Sequence, residues 1–408
     1  MALTVGIASD YLNLFQRIRY YLRGEMSIEN ELANVANVGD GYMQGLMAFT
    51  TPAIESWTIT CTLGGGSGVA IFSVTGTVSG AQAAATCDVY YSNTQLEFVV
   101  GYGATNYVIG DEFTFDVIAN DIPATQQWAE LKYTPGANQG AGVNNGMNVD
   151  AGGGATYANE LYLKGPGLAQ ADEIFVSMWT GYDEDADWYN LGFQGATGFE
   201  TLDAVQYQPN DSSDVSMSAW QFQIPYWIIA DGRRFILNWK ISTNYFSGYF
   251  GFILPYGTPT EYPYPLYICG TYTSLAIRWS SESHNHRSFF DPYAGYLYTI
   301  EGTWLLVQNK TSSGGNESTR SETNVWPYTE DYMINVRQSP GDVYPMLPMV
   351  IHTDKNGGNV YGELAGTFWC PGFANASENT IVVNSVDYLV IQDVYRTSNQ
   401  DYFALKME

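Results

Sequence analysis

Residues 226–270 read YWIIADGRRFILNWKISTNYFSGYFGFILPYGTPTEYPYPLYICG. Two apolar runs rich in aromatic and β-branched residues flank ADGR at 230–233, and an Asp-Gly pair between such runs favours a tight hairpin. Gly248 and Gly251 interrupt the next run, which predicts a bent or bulged strand. Four prolines within 255–265 remove backbone donors, so we expect an edge segment or an extended arm there, with a packed internal loop as the alternative. The stretch therefore predicts antiparallel β structure.

The composition points to the same fold class for the whole chain. Of 408 residues, 45% are hydrophobic, 15% aromatic and only 14% charged, with 42 Gly and 32 Tyr. Few charges and many glycine and aromatic residues are typical of a mainly β protein, and the length allows two or three domains. Further strand candidates follow the same pattern: EIFVSMWTGY (173–182), SLAIRWS (274–280), GYLYTIEGTWLLV (295–307) and DYLVIQDVYR (387–396).

The amino terminus carries the clearest helix signal. Asp10 is a capping residue, Gly24 is a stop signal, and the apolar residues between them recur at helical spacing. These residues are Tyr11, Leu14, Phe15, Ile18 and Leu22. Such an amphipathic N-terminal helix needs a partner surface, in this chain or in a neighbouring one. A weaker second helix is predicted from Ser27 to Val38.

A separate β pattern occupies residues 55–119. It comprises WTITCTL (57–63), VAIFSVTG (69–76), CDVYYS (87–92), QLEFVVGYG (95–103) and EFTFDVIA (112–119). Residues 64–68 read GGGSG, and because a strand rather than a helix follows them, they predict a hairpin loop and not a phosphate cradle. Residues 105–111 predict a strand end followed by a Gly-Asp turn.

We therefore divide the chain into four segments. Residues 1–54 form an N-terminal helical segment, and 55–119 form an inserted β-sandwich-like module. Residues 120–157 are a Gly/Asn-rich linker region, because their core has no apolar periodicity. Residues 158–408 form the main body, which we expect to be a β-sandwich or jelly-roll-like domain.

Charge and cysteine content restrict the partners and the compartment. The formal net charge is −26, which disfavours binding to nucleic acid and to anionic membrane surfaces. The start of the chain lacks a signal-peptide pattern, and no apolar run is long enough to insert in a membrane. Cysteines 61, 87, 269 and 370 form no CxxC pair, so we expect buried thiols in a reducing cytoplasm, with a Cys61–Cys87 disulfide as the alternative.

Several residue groups have a spacing that suggests metal binding, but each has a simpler explanation. Asp183, Asp185 and Asp187 alternate as Ca²⁺ ligands can, yet the rest of a calcium loop is missing, so a solvated acidic turn is favoured. His284 and His286 form an HxH pair whose only possible third histidine is His352, and surface histidines are favoured. The sequence thus predicts no metal site and no cofactor.

The candidate catalytic and ligand-binding residues also have simpler structural explanations. With 42 acidic residues, no catalytic carboxylate pair can be singled out. Trp179, Trp188 and Trp220 are candidates for stacking on sugars, although core or interface positions are favoured. Arg233 and Arg234 predict an ion-pairing turn, with contact to an acidic neighbouring subunit as a further possibility. We predict no catalytic or cofactor-binding residues, and therefore no enzyme.

Three stretches resemble a family of tailed-bacteriophage virion structural proteins associated with the tail or baseplate. They are LYLKGPGLAQADEIFVSMWTGYD (161–183), the segment 226–270, and WCPGFANASENTIVVNSVDYLVIQDVYRTSNQDYFAL (369–405). The order F-x-V-x-G, F-x-x-x-x-G and GD-x-F-x-F within 55–119 is also similar to phage tail modules. The resemblance covers the N-terminal helix and most of 128–405.

The resemblance implies a structural virion component that acts by symmetric assembly. Its expected partners are further copies of itself, as a homo-oligomer, and other phage tail or virion proteins. Its expected location is the virion tail, with assembly in the bacterial host cytoplasm. The alternative is a host-receptor or glycan-binding virion protein, which an exposed aromatic groove would indicate. A neck or capsid decoration protein and a polysaccharide depolymerase are the remaining possibilities.

Overall fold

The structure is a computed structural model that describes residues 1–49, 54–135, 156–167, 174–183, 185–201, 208–257, 265–271, 278–280, 288–289, 295–308, 323–327, 344–353, 359–394, 398–399 and 401–407. Within these ranges the chain is mainly β, with 28 strands in several sheets, one α-helix and one short 3-10 helix, Ala124–Gln126. It divides into two compact units. The amino-terminal unit is Thr4–Ala124 with Trp220–Trp227, and the main unit is Met1–Leu3, Thr125–Ala219 and Ile228–Glu408.

The first ten strands and the helix are β1 (Ala2–Ala8), α1 (Tyr11–Leu22), β2 (Ser27–Ala33), β3 (Met43–Ala48), β4 (Glu55–Leu63), β5 (Ile71–Gly76), β6 (Gly80–Ala81), β7 (Ala85–Thr86), β8 (Tyr91–Ser92), β9 (Leu96–Val100) and β10 (Glu112–Ile118). The next nine are β11 (Ala129–Thr134), β12 (Thr156–Gly165), β13 (Ile174–Asp183), β14 (Trp188–Ala196), β15 (Val215–Ala219), β16 (Ile224–Asp231), β17 (Arg234–Ile241), β18 (Asn244–Phe252) and β19 (Leu254–Pro255). The last nine are β20 (Leu266–Cys269), β21 (Gly295–Tyr298), β22 (Trp304–Val307), β23 (Thr323–Trp326), β24 (Leu347–Thr353), β25 (Asn359–Trp369), β26 (Thr380–Val383), β27 (Val386–Gln392) and β28 (Tyr402–Lys406).

Helix α1 begins and ends where its sequence signals lie. The carboxylate of Asp10 accepts a hydrogen bond from the Asn13 backbone N–H at 2.7 Å, which satisfies one of the free donors of the first turn. Gly24 has a positive φ of +80°, a conformation that glycine adopts without steric cost. The predicted apolar stripe is buried, but Arg17 and Arg19 are buried as well. Leu12 is 37% exposed, Gln16 and Tyr20 are partly accessible and the rest of the helix is buried, so most of its polar side does not face solvent.

The helix predicted from Ser27 to Val38 is wrong, because residues 27–33 form strand β2. Ile118, Val117 and Phe113 of β10 lie opposite Ser27, Ile28 and Ala33 in an antiparallel ladder. The backbone of β10 offers hydrogen bonds that a helix at this position would leave unmade. Tertiary pairing therefore overrides the local helix preference of this segment.

The amino-terminal unit contains two sheets with a common core. One sheet has the order β2-β10-β4-β5-β6, with β7 paired to β5, and the other has the order β3-β9-β8. Buried side chains of both sheets belong to one cluster, including Trp57 and Phe113 from the first and Leu46 and Phe98 from the second. Of the predicted strand at 87–92, only Tyr91–Ser92 is a strand. The predicted loop at 64–68 joins β4 to β5, which confirms a hairpin connection.

The main unit is built on a five-stranded sheet, β11-β12-β13-β14-β15, and on most of a large sheet. The large sheet has the order β1-β16-β17-β18-β20-β21-β22-β23-β24-β25-β28-β27-β26, with β19 paired to β25. Strands β13, β14 and β15 pack against β18 and β20. The rings of Phe193 and Phe250 lie 4.2 Å apart between these strands, and the Trp239 indole N–H donates to the Ser218 carbonyl at 2.7 Å. Aromatic rings therefore fill the contact between these strands, and the buried Trp239 indole donor is satisfied.

Residues 226–252 form the predicted antiparallel hairpin, but the bulge predicted at Gly248 and Gly251 is not found, because β18 runs through both glycines and pairs with β17 and β20 in continuous register. β16 and β17 are joined by a turn at Gly232-Arg233, and Asp231 accepts from the backbone N–H groups of Arg233 and Arg234 at 2.8 and 3.2 Å. Gly251 in β18 has φ +137°, and a Cβ there would overlap the backbone of Arg233 and Arg234. The predicted Pro/Tyr arm falls mostly on 258–264, outside the described residues, as do 136–155 of the linker region.

A candidate interaction site at the loop end of the amino-terminal unit

The acidic residues and the histidine that the sequence offered as metal ligands lie in a turn, an ion pair and a strand. Asp183 accepts from the Ala186 backbone N–H at 3.0 Å, and Asp187 forms an ion pair with Arg278 at 2.6 Å. His352 lies in β24, whereas His284 and His286 are outside the described residues. In the part of the chain that the structure describes, no three His, Cys, Asp or Glu side chains form a group able to hold a metal ion.

The other candidates are mostly part of the core. Trp179 and Trp188 are buried, and only Trp220 is partly accessible. Arg234 forms a buried ion pair with Asp231 at 2.9 Å, which confirms the ion-pairing turn. The four cysteines are buried and free, so Cys61 and Cys87 form no disulfide.

The main unit also contains two neighbouring acidic side chains with raised pKa values. Burial, together with the negative charge of Asp211, raises the pKa of Asp214 to about 6, and burial raises the pKa of Asp211 as well. Such values occur at catalytic sites, but structural carboxyls show them too. Neither side chain lines the small cavity beside α1.

A small cavity beside α1 holds a buried ion pair. Arg17 donates from Nη2 to Glu31 at 3.0 Å, and its Nε and Nη1 have no hydrogen-bond partner among the residues that the structure describes. Arg17, Thr4 and Ser27 are among the residues that line the cavity. Burial raises the pKa of Glu31, and the arginine opposes that shift. The cavity volume of about 10 Å³ matches one water molecule and is far below that of a ligand pocket. This cluster is therefore structural.

The strongest functional feature lies at one end of the amino-terminal unit. Because β2, β4 and β9 all run antiparallel to their neighbours, the connections β2–β3, β4–β5 and β9–β10 meet at the same end of the sheets. These loops, together with the last residue of β4, expose six aliphatic side chains, which we call the apolar tip: Val35, Val38, Leu63, Val69, Val108 and Ile109. Their exposure runs from 41% at Val108 to 103% at Val35, so none of them belongs to the core.

Asp111 holds two of these loops together. Its side chain is only 2% exposed, and it accepts from the backbone N–H groups of Val38, Gly39 and Val108 at 2.8, 2.9 and 3.0 Å. Burial acts to raise the pKa of Asp111, but these three hydrogen bonds outweigh it and the pKa is lowered. The carboxylate is therefore ionised at neutral pH and fixes the loop backbones.

The remaining loops are pinned by backbone and amide contacts. Gly65 and Tyr107 exchange both backbone hydrogen bonds at 2.9 Å, which clamps the β4–β5 loop onto the β9–β10 loop. Asn37 donates from its side chain to the Glu112 carbonyl at 2.9 Å and accepts from the Glu112 N–H at 2.7 Å. The apolar tip thus stands on loops that these hydrogen bonds hold to one another, an arrangement that suits binding without reordering.

The sequence around the tip also lacks positive charge. From Gly24 to Leu131 the chain has no lysine, arginine or histidine. The same stretch holds the acidic residues Glu25, Glu29, Glu31, Asp40, Glu55, Asp88, Glu97, Asp111, Glu112, Asp116, Asp121 and Glu130. Sequence reasoning based on total charge missed this one-sided distribution, although a charge count by segment would have found it.

Comparison with known proteins gives no relative from which a function can be transferred. No protein-family model matches the chain, and no curated protein matches it at a significant level. Among the described residues, no helix has the length and apolarity needed to cross a bilayer. The function must be argued from the chain's own surface.

Proposed function

We propose that this chain is a structural component of a bacteriophage virion, belonging to the tail or baseplate, that acts by assembling with copies of itself and with other virion proteins. The observation that carries an assembly role is the apolar tip. Exposed aliphatic side chains on hydrogen-bonded loops are typical of a protein interface, because apolar patches on a soluble surface are otherwise unfavourable. The virion context rests on the resemblance of 161–183, 226–270 and 369–405 to phage virion proteins.

The proposed architecture fits that role. A β-sandwich or jelly-roll-like main body gives a rigid frame, and the loop end of the amino-terminal unit provides a contact surface. The net charge of −26 keeps the aromatic-rich chain soluble before assembly and disfavours nucleic-acid partners.

A glycan- or receptor-binding role is the second candidate. Trp220 and Phe222 lie edge to face with ring centroids 5.5 Å apart, and Phe222 is 53% exposed. Exposed aromatic faces can stack on sugar rings. A single pair is a smaller signal than the six residues of the apolar tip.

The test is light scattering coupled to size-exclusion chromatography on the full chain over a range of concentrations, with a glycan array in parallel. A closed oligomer such as a trimer or hexamer that binds no glycan supports a symmetric structural subunit. A monomer at every concentration that binds a glycan, with binding lost in Phe222→Ala, contradicts the proposal and supports the second candidate.

A further inference from the structure

We propose that the apolar tip docks onto a different protein whose facing surface combines apolar side chains with lysine or arginine. This inference rests on the proposed assembly function and names the partner's chemistry. The exposed aliphatic side chains of the tip would make the apolar contacts with the partner. The acidic residues of the same unit would attract the partner's lysine or arginine side chains.

The acidic groups around the tip are fixed in place. Asp40 accepts from the Thr105 backbone N–H at 2.7 Å, and Asp88 accepts from the Tyr102 N–H at 2.8 Å. The hydrogen bond from Thr105 leads a set of contacts that lowers the pKa of Asp40. Both side chains are exposed. Asp40 belongs to the β2–β3 connection, and Asp88 belongs to the β7–β8 connection, where its bond to Tyr102 holds it against the β9–β10 connection. The rim of the tip is therefore negative at neutral pH.

No cationic side chain of the same unit lies in these loops to balance the rim. The three arginines of the unit are Arg17, Arg19 and Arg23. Arg17 and Arg23 pair with acidic residues, and Arg19 donates to Gln16 at 3.1 Å. A partner that carries lysine or arginine around an apolar centre would meet a complementary potential, which raises the rate and the specificity of docking.

The same charge argument disfavours the other occupants. Two tips facing each other would bring Asp40, Asp88 and Glu112 of one copy against those of the next, and like charges across an interface cost affinity. Nucleic acid, anionic lipids and acidic polysaccharides would be repelled in the same way. The rim and the tip together therefore favour a heterologous, cationic protein partner.

The test uses short amphipathic helical peptides that present leucine on one face and lysine, glutamate or serine on the other. Binding to the full chain is measured by fluorescence anisotropy at low and at physiological salt. The tip variant is Val35→Ser/Ile109→Ser. The matched control is Ile54→Ser/Val78→Ser, which removes one isoleucine and one valine that are also exposed, 62% and 68%, at the opposite end of the β4–β5 pair.

We expect the leucine–lysine peptide to bind, and its affinity to fall as the salt concentration rises. The tip variant should bind it at least tenfold more weakly than the parent chain, and the control variant should bind it as the parent chain does. The glutamate peptide should not bind. Equal losses in the two variants, or equal binding of the glutamate peptide, would overturn the proposal. Circular dichroism and thermal unfolding of both variants confirm that folding is unchanged.

Light scattering on the same two variants separates this inference from the proposed function. If the tip variant alone loses oligomerisation of the chain, the occupant is a second copy and the inference is wrong, while the assembly role stands. If the chain proves to be a monomeric glycan-binding protein, the peptide comparison still decides whether the tip recognises a cationic surface.

Discussion

Replacing Asp111 with asparagine tests whether one buried carboxylate organises the loop end. In the folded chain one carboxylate oxygen accepts from Val38 and the other accepts from Gly39 and Val108, at 2.8 to 3.0 Å. Asparagine has the same shape, but one of its two terminal atoms is an NH₂ group. Whichever way the amide is turned, at least one backbone N–H faces another donor, and the remaining bonds lose their charge assistance.

The structure sets the size of the effect. A hydrogen bond to a charged group contributes about 1.5–3 kcal/mol, and a buried donor left without an acceptor costs about 1–3 kcal/mol. Losing one such bond and weakening the others should lower the free energy of unfolding of the amino-terminal unit by about 2–4 kcal/mol. The loss should appear mainly as faster local opening of the loops at 34–39 and 105–111, because these are the segments that the carboxylate joins.

The assay is urea unfolding combined with hydrogen exchange read by mass spectrometry. Asp40→Asn is the matched control, since this exposed carboxylate has one short backbone bond, to Thr105, and should change little. Because the pKa of Asp111 is lowered on folding, its stabilisation is present above the unfolded value of about 4 and is lost as the pH falls through the folded pKa. The difference between the parent chain and Asp111→Asn should therefore shrink in acid. Unchanged exchange in both loops, with a stability change below about 0.5 kcal/mol, would refute the reasoning.

Three further predictions concern the rest of the chain. Glu31→Gln leaves the buried Arg17 uncompensated and should lower the free energy of unfolding by about 3–5 kcal/mol in urea, whereas Arg17→Met/Glu31→Leu should recover most of that loss. Gly251→Ala forces a Cβ into the backbone of Arg233 at φ +137° and should lower the melting temperature of the main unit or prevent its folding. The pKa of Asp214 is raised to about 6, so its protonated form stabilises the fold below about pH 4 and this contribution is lost as the pH rises through 6; Asp214→Asn should raise stability by about 1–2 kcal/mol at pH 7 and not at pH 4.

Features that depend on neighbouring residues were predictable from the sequence. The Asp10 cap and the Gly24 stop appear where expected, because each is specified by a few adjacent side chains. The hairpin also forms, but its turn is at Gly232-Arg233, one residue after the Asp231-Gly232 pair that predicted it. The alternating strands of 55–119 also form, since their apolar period already defines a buried face. The segment 27–38 could not be assigned this way, because its strand exists only through pairing with β10.

The candidate site was not predictable for a related reason. The apolar tip combines residues from three connections that are distant in sequence, and none of them is unusual in its own loop. Residues 105–111 were expected to contain a Gly-Asp turn, but the role of Asp111 in joining Val38 to Val108 follows only from the fold. A local pattern specifies a turn, whereas a surface depends on which turns the topology brings together.

The charge distribution and the apolar tip together determine which partner can bind at this end of the unit. An exposed aliphatic patch on a neutral protein would promote association with itself and with any other apolar surface. Here Asp111 accepts hydrogen bonds from backbone donors beneath the patch, and the carboxylates of Asp40 and Asp88 around it are held by backbone N–H groups of the β9–β10 connection. Two copies are thereby kept apart at this end by like charge, while a cationic partner gains both the apolar contact and the electrostatic one. Specificity then comes from what the loop end repels as much as from what it binds. Val35→Lys should therefore reduce the preference for the leucine–lysine peptide over the glutamate peptide in fluorescence anisotropy, while thermal unfolding stays unchanged.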